Sequence, residues 1–66
     1  MLTLVIPVYR NEESLPDLLA TVQGLSEKMD GAMEVVFVVD GSPDRCYDIL
    51  RARLPTYAFR SRLVLL

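Results

Sequence analysis

Sixty-six residues hold one small domain at most, and a chain of this size buries only about 60% of the surface its unfolded form exposes. A hydrophobic share of 52% is too apolar for a disordered chain, so the composition calls for a packed core. Seven basic against nine acidic residues give a net charge of −2, which leaves no positive field to draw the chain onto nucleic acid.

The single cysteine, Cys46, forms no internal disulfide, and without histidine the usual zinc ligand sets cannot be assembled. No run approaches the roughly 18 apolar residues that a membrane span needs. The apolar stretch Leu2 to Val8 lacks the basic leader and small-residue cleavage site of a signal peptide, so the expected compartment is the cytosol.

Leu2 to Val8 is almost unbroken in its apolarity and rich in β-branched residues, which predicts a strand covered on both faces, as in a parallel sheet. Tyr9-Arg10-Asn11-Glu12-Glu13 ends it with consecutive polar groups and reads as a strand-to-helix loop. Ser14 is a candidate N-cap, with Pro16 and Asp17 suited to a first turn. Leu15, Leu18, Leu19, Val22, Leu25 and Met29 recur at three- and four-residue spacing and predict one apolar stripe on a helix running to about Lys28, modestly weakened by Gly24. Asp30-Gly31 supplies turn chemistry before Met33 to Val39, a second buried strand.

Asp40-Gly41-Ser42-Pro43-Asp44 combines a turn, an N-cap and a first-turn proline, so a second helix is expected from near Pro43, with Tyr47, Leu50 and Leu54 on its apolar face. Pro55 stops it, and Arg62 to Leu66 reads as a third strand. Eight of the nine acids precede Arg45, and the arginines that dominate the last third read as solvated residues of the second helix and its exit. The alternation β-α-β-α-β implies an α/β fold: a three-stranded parallel sheet with right-handed crossovers and strand order 3-2-1. No repeat, linker or low-complexity tract interrupts residues 1–66, which read as a single partial domain.

In an open α/β sheet the ligand site forms beyond the carboxyl ends of the strands, which singles out the loops Pro7 to Glu13 and Asp40 to Asp44. Neither the dinucleotide fingerprint G-x-G-x-x-G nor the phosphate loop G-x-x-x-x-G-K-[ST] is present, nor an acidic pair at the end of the first strand. A nucleobase needs a flat apolar partner and a group to bond its edge. Tyr9 can offer the first, and Asp40, one loop away, can accept from a base N–H. The competing readings are a half-buried loop aromatic for Tyr9 and a turn with helix cap for Asp40 to Asp44, which is compatible with a base contact.

Val5-Ile6-Pro7-Val8-Tyr9-Arg10-Asn11-Glu12-Glu13 followed by Val38-Val39-Asp40-Gly41-Ser42-Pro43-Asp44, each at the end of a predicted strand, resembles the start of an inverting family 2 glycosyltransferase. It is most similar to polyprenyl-phosphate sugar transferases of the dolichol-phosphate mannosyltransferase type, over essentially the whole chain. The resemblance implies the nucleotide-binding half of a GT-A, Rossmann-like fold. It also implies a nucleoside-diphosphate sugar donor of UDP or GDP type, with residues matching Pro7, Tyr9 and Asp40 lining the base site and Glu12 near the ribose. A solvated first-turn acid is an equal alternative for Glu12. The family's usual Val-Asp-Asp-Gly-Ser has become Val38-Val39-Asp40-Gly41-Ser42, so a polar neighbour of Asp40 is replaced by Val39.

The resemblance further implies a divalent metal, Mg or Mn, and a catalytic base for the intact enzyme, both on a later D-x-D-like motif and carboxylate that do not occur in these residues. No catalytic residue, metal ligand or cofactor is therefore assigned to this chain. The leading expectation is the N-terminal donor-binding segment of an inverting transferase that passes a sugar to a polyprenyl phosphate, the intact enzyme working at the cytoplasmic face of the membrane. The rival is a non-catalytic nucleotide-binding or structural module. An unpaired sheet edge or an apolar sheet face predicts a homo-oligomer.

Overall fold

The computed structural model describes residues 2–10, 12–41 and 45–66. Strand β1 spans Leu2–Val8, helix α1 Leu15–Lys28, strand β2 Met33–Val39, helix α2 Cys46–Arg53 and strand β3 Arg60–Leu65, with 3₁₀ turns at Glu12–Ser14 and Leu54–Thr56. All strands run parallel in the order β1-β2-β3, as the alternation of elements predicts.

Helix α1 begins at Leu15 behind the 3₁₀ turn, with Pro16 in its first turn, where a missing N–H breaks no helical hydrogen bond. Ser14 occupies the N-cap position but makes no side-chain capping bond. At the other end the Gly31 N–H donates to the Ser26 carbonyl (2.9 Å) and the Asp30 N–H to the Glu27 carbonyl (3.2 Å), the paired bonds of a Schellman motif. Asp30 and Gly31 both take left-handed backbone, at φ 53° and 75°, which turns the chain sharply into β2.

The buried side of α1 is Leu15, Leu19, Val22 and Ser26, whereas Leu25, placed in the stripe on spacing, is 38% exposed. At about 100° per residue those four positions cluster within roughly 60°, and Leu25 falls about 90° from their centre. The buried stripe is thus rotated away from Leu25 and takes in a polar side chain, Ser26.

Both helices lie on one face of the sheet and touch each other. Two successive right-handed crossovers stepping in one direction must place their helices on the same side. On β2, Met33, Val35, Phe37 and Val39 are therefore buried, while Glu34, Val36 and Val38 remain partly open. The expectation that β1 is covered on both faces is corrected accordingly. Its other face is open among the described residues, with Val5 60% exposed.

Phe37 sits at the centre of the core, flanked in register by Ile6 and Leu63. Strand β3 starts at Arg60 rather than Arg62, because Arg60 and Ser61 continue the ladder opposite Glu34 and Val35. Helix α2 starts at Cys46, later than Pro43 suggested, and the cap and first-turn roles expected of Ser42, Pro43 and Asp44 fall outside the described residues. Cys46, Leu50 and Leu54 form its buried side, with Tyr47 half-buried. The arginines at 45, 51, 53, 60 and 62 are all exposed, and Arg62 meets the Glu34 carboxylate at 3.5 Å across the open face.

Candidate functional site

The two loops singled out by the sequence emerge side by side. Val8 of β1 stands opposite Val39 of β2 in the parallel ladder, and both are 1% exposed. Tyr9 and Asp40 are the next residues along each strand. They leave the sheet at the same edge, from neighbouring strands about 4.8 Å apart. Tyr9 is 52% exposed and Asp40 is exposed, so neither is absorbed into the core.

Pro7, opposite Val38, is exposed and lies within a strand that has a neighbour on one side only among the described residues. An edge strand is where a residue without an N–H is tolerated in a sheet. Gly41, immediately after Asp40, takes φ 57°, a left-handed conformation in which a side chain is strained.

Glu12 does something the sequence did not suggest. Its Oε1 accepts the backbone N–H of Arg45 at 3.3 Å, a long bond between residues 33 apart in sequence. Arg45 is the N-cap residue of α2, and its own side chain makes no capping bond. The first loop thus reaches across to the start of the second helix, where the helix dipole favours a carboxylate. A polar recess of about 310 Å³ lies beside this contact, lined by Arg10, Glu12, Glu13 and Ser14.

Arg10 belongs to the first-loop motif, but the sequence alone assigns it no role. Its backbone is left-handed at φ 53°, and its guanidinium carbon lies 5.4 Å from the centroid of the Tyr9 ring, within cation–π range. A long cation directly after an aromatic at a strand end was the available signal. The left-handed turn that folds one over the other was not readable, since arginine has no preference for that conformation.

A second, more apolar groove of about 380 Å³ runs past Leu54, Tyr57, Phe59 and Leu63, with the Tyr57 and Phe59 rings 5.4 Å apart. It flanks α2 and β3 and involves none of the residues at the carboxyl edge of β1 and β2. Among the described residues no group of three or more His, Cys, Asp or Glu gathers in a way that would hold a metal ion. Among them, too, no helix is long and apolar enough to cross a membrane.

Comparison with known proteins follows the same lines. The undecaprenyl-phosphate 4-deoxy-4-formamido-L-arabinose transferase of Pseudomonas syringae pv. syringae (strain B728a) is 45% identical over 49 residues, covering 74% of this chain and 14% of that protein. The transferases of the same name from Pseudomonas paraeruginosa (strain DSM 24068 / PA7) and Sodalis glossinidius (strain morsitans) are each 42% identical, over 52 and 50 residues, covering 79% and 76% of this chain and 15% of each relative. The chain thus spans about a seventh of the length of these curated relatives. No solved structure matches it significantly. The family described as Glycosyl transferase family 2 matches residues 3–64, nearly the whole chain, and this protein belongs to that family.

Proposed function

We propose that this chain is the donor-nucleotide-binding segment of an inverting glycosyltransferase that passes a sugar from a UDP- or GDP-type donor to a polyprenyl phosphate. The observation that carries the reading is the register pair Val8 and Val39, which delivers an exposed aromatic and an exposed acid to one sheet edge. Tyr9 supplies a stacking face for the base. Asp40 accepts from a base N–H, and Pro7 borders the same edge. The relatives' names, which specify undecaprenyl phosphate, support a polyprenyl phosphate as acceptor.

In this reading the chain binds and orients the donor without turning it over. The family resemblance implies a divalent metal for the whole enzyme, which would neutralise the diphosphate leaving group. The described residues do not fit that ion, since no trio of ligands converges, and no step is assigned to it here. Glu12 braces the first loop against α2 through the Arg45 N–H, and the remaining lone pairs of its carboxylate stay available for the ribose.

Titration of the chain with UDP and with GDP, followed by NMR or calorimetry, tests the proposal. Saturable binding of one of them is expected, weakened in Tyr9→Ala by about 1–3 kcal/mol, the usual worth of a base–aromatic stack, and weakened also in Asp40→Ala. Absence of binding to either nucleotide would overturn it.

One observation favours a second reading, a non-catalytic module that self-associates. The helix-free face of the sheet presents Val5, Val36, Val38 and Val64, all at least partly exposed. Sedimentation of a chain that binds no nucleotide yet forms a discrete oligomer would support this alternative.

A further inference from the structure

We propose that Arg10 is a positioning residue for the base platform, holding the Tyr9 ring by one face so that the other face is presented to the nucleobase. This rests on the reading of Tyr9 as that platform and adds a residue to it. Two linked features of the structure point the same way. The Arg10 guanidinium lies 5.4 Å from the Tyr9 ring centroid, and Arg10 adopts a left-handed backbone, φ 53°, that a non-glycine residue takes up only against a steric penalty. Strained backbone of this kind collects at ligand-binding segments, where the surrounding structure maintains it for the sake of a side chain's placement.

The left-handed turn folds the arginine back over the residue before it. A planar guanidinium can lie over an aromatic ring and restrict its rotation, which an ammonium does less well. Ordering an exposed side chain on binding weakens affinity, and each contact that narrows the Tyr9 rotamers beforehand lowers that cost. With one face held, the base meets a ring already in place. The positive charge also stands at the rim of the polar recess formed with Glu12, Glu13 and Ser14, so a direct contact with the donor's phosphates is the alternative that the experiment must separate.

The test compares wild-type chain, Tyr9→Ala, Arg10→Gly and Arg10→Lys, using UDP with uridine and GDP with guanosine, with affinities from NMR titration and folding checked by thermal melting. Arg10→Gly is expected to bind nucleotide and nucleoside more weakly by the same factor, about two- to fivefold, corresponding to a cation–π contact at an exposed site. Its melting midpoint is expected not to fall, because glycine removes the backbone penalty, and Arg10→Lys should lie between Arg10→Gly and wild type. Arg10 side-chain proton resonances should carry a ring-current shift that vanishes in Tyr9→Ala and persists when nucleotide is bound.

Unchanged affinity in Arg10→Gly, with binding still weakened in Tyr9→Ala, would overturn this inference and leave the donor site standing. A loss confined to the diphosphates, with the nucleosides unaffected, would place Arg10 on the phosphates and overturn it equally. Wild-type chain that binds neither nucleotide would remove the donor site and this inference together.

Discussion

The same substitution at two glycines should change stability in opposite directions. Gly24 lies inside α1, where an added Cβ meets no atom within 4 Å. Alanine there brings neither clash nor packing, so only backbone entropy and helix propensity change, stabilising the fold by about 0.5–1 kcal/mol. Gly31 also has open space around it, but its φ is +75°. Alanine at that position meets a left-handed penalty of about 1–2 kcal/mol, offset by roughly 0.4–1 kcal/mol from a stiffer unfolded chain, for a net loss near 1 kcal/mol. In a domain of this size 1 kcal/mol moves the melting midpoint by roughly 4–8 °C. Far-UV circular dichroism melts of Gly24→Ala, Gly31→Ala and wild type at one fixed protein concentration should therefore place the variants on opposite sides of wild type. The fixed concentration matters, because any self-association makes the midpoint concentration-dependent. Shifts of the same sign, or a destabilised Gly24→Ala, would refute the reasoning that backbone conformation alone decides the outcome at these open positions.

Phe37→Ala should cost about 3–5 kcal/mol, as large core truncations do, in a chain whose total stability is rarely greater than that. The expected result in urea is loss of the cooperative transition, and a retained one of near wild-type midpoint would count against Phe37 as the centre of the core. Glu12→Ala removes the carboxylate that serves the start of α2 and is expected to cost about 0.5–1 kcal/mol, with faster hydrogen exchange at the Arg45 amide; an unchanged exchange rate there would show that the bond contributes nothing. Val36→Lys places a charge on the helix-free face and should shift any oligomer toward monomer in sedimentation velocity, unless association uses a strand edge, in which case the distribution stays as in wild type.

Much of this fold could be read from local patterns. The apolar runs Leu2–Val8 and Met33–Val39 became strands with those bounds, and α1 ends at Lys28 where the Asp30-Gly31 turn intervenes. Elsewhere local spacing misled. Leu25 carries the right residue type at a plausible interval, yet the direction of the helix's buried side is set by what α1 packs against, and Ser26 took the place inside. Arg60 and Ser61 carry no apolar signal, and they join β3 because β2 offers them a ladder.

The candidate site divides in the same manner. The positions of Tyr9 and Asp40 at the ends of two strands were legible, because each follows a run whose apolarity marks where the sheet stops. Their adjacency awaited the parallel register, since a slip of one residue between β1 and β2 would have separated them and reversed their faces. The Glu12 contact with Arg45 spans 33 residues, and the Arg10 contact with Tyr9 depends on a backbone conformation that arginine does not favour. Hydrophobic runs, glycines and prolines act on the few residues around them and so declare strands, helices and turns from the chain alone. Which face is left bare, which loops meet and which charge lies on which ring are set by contacts between distant segments, and those exist only once the crossovers have brought the strands together.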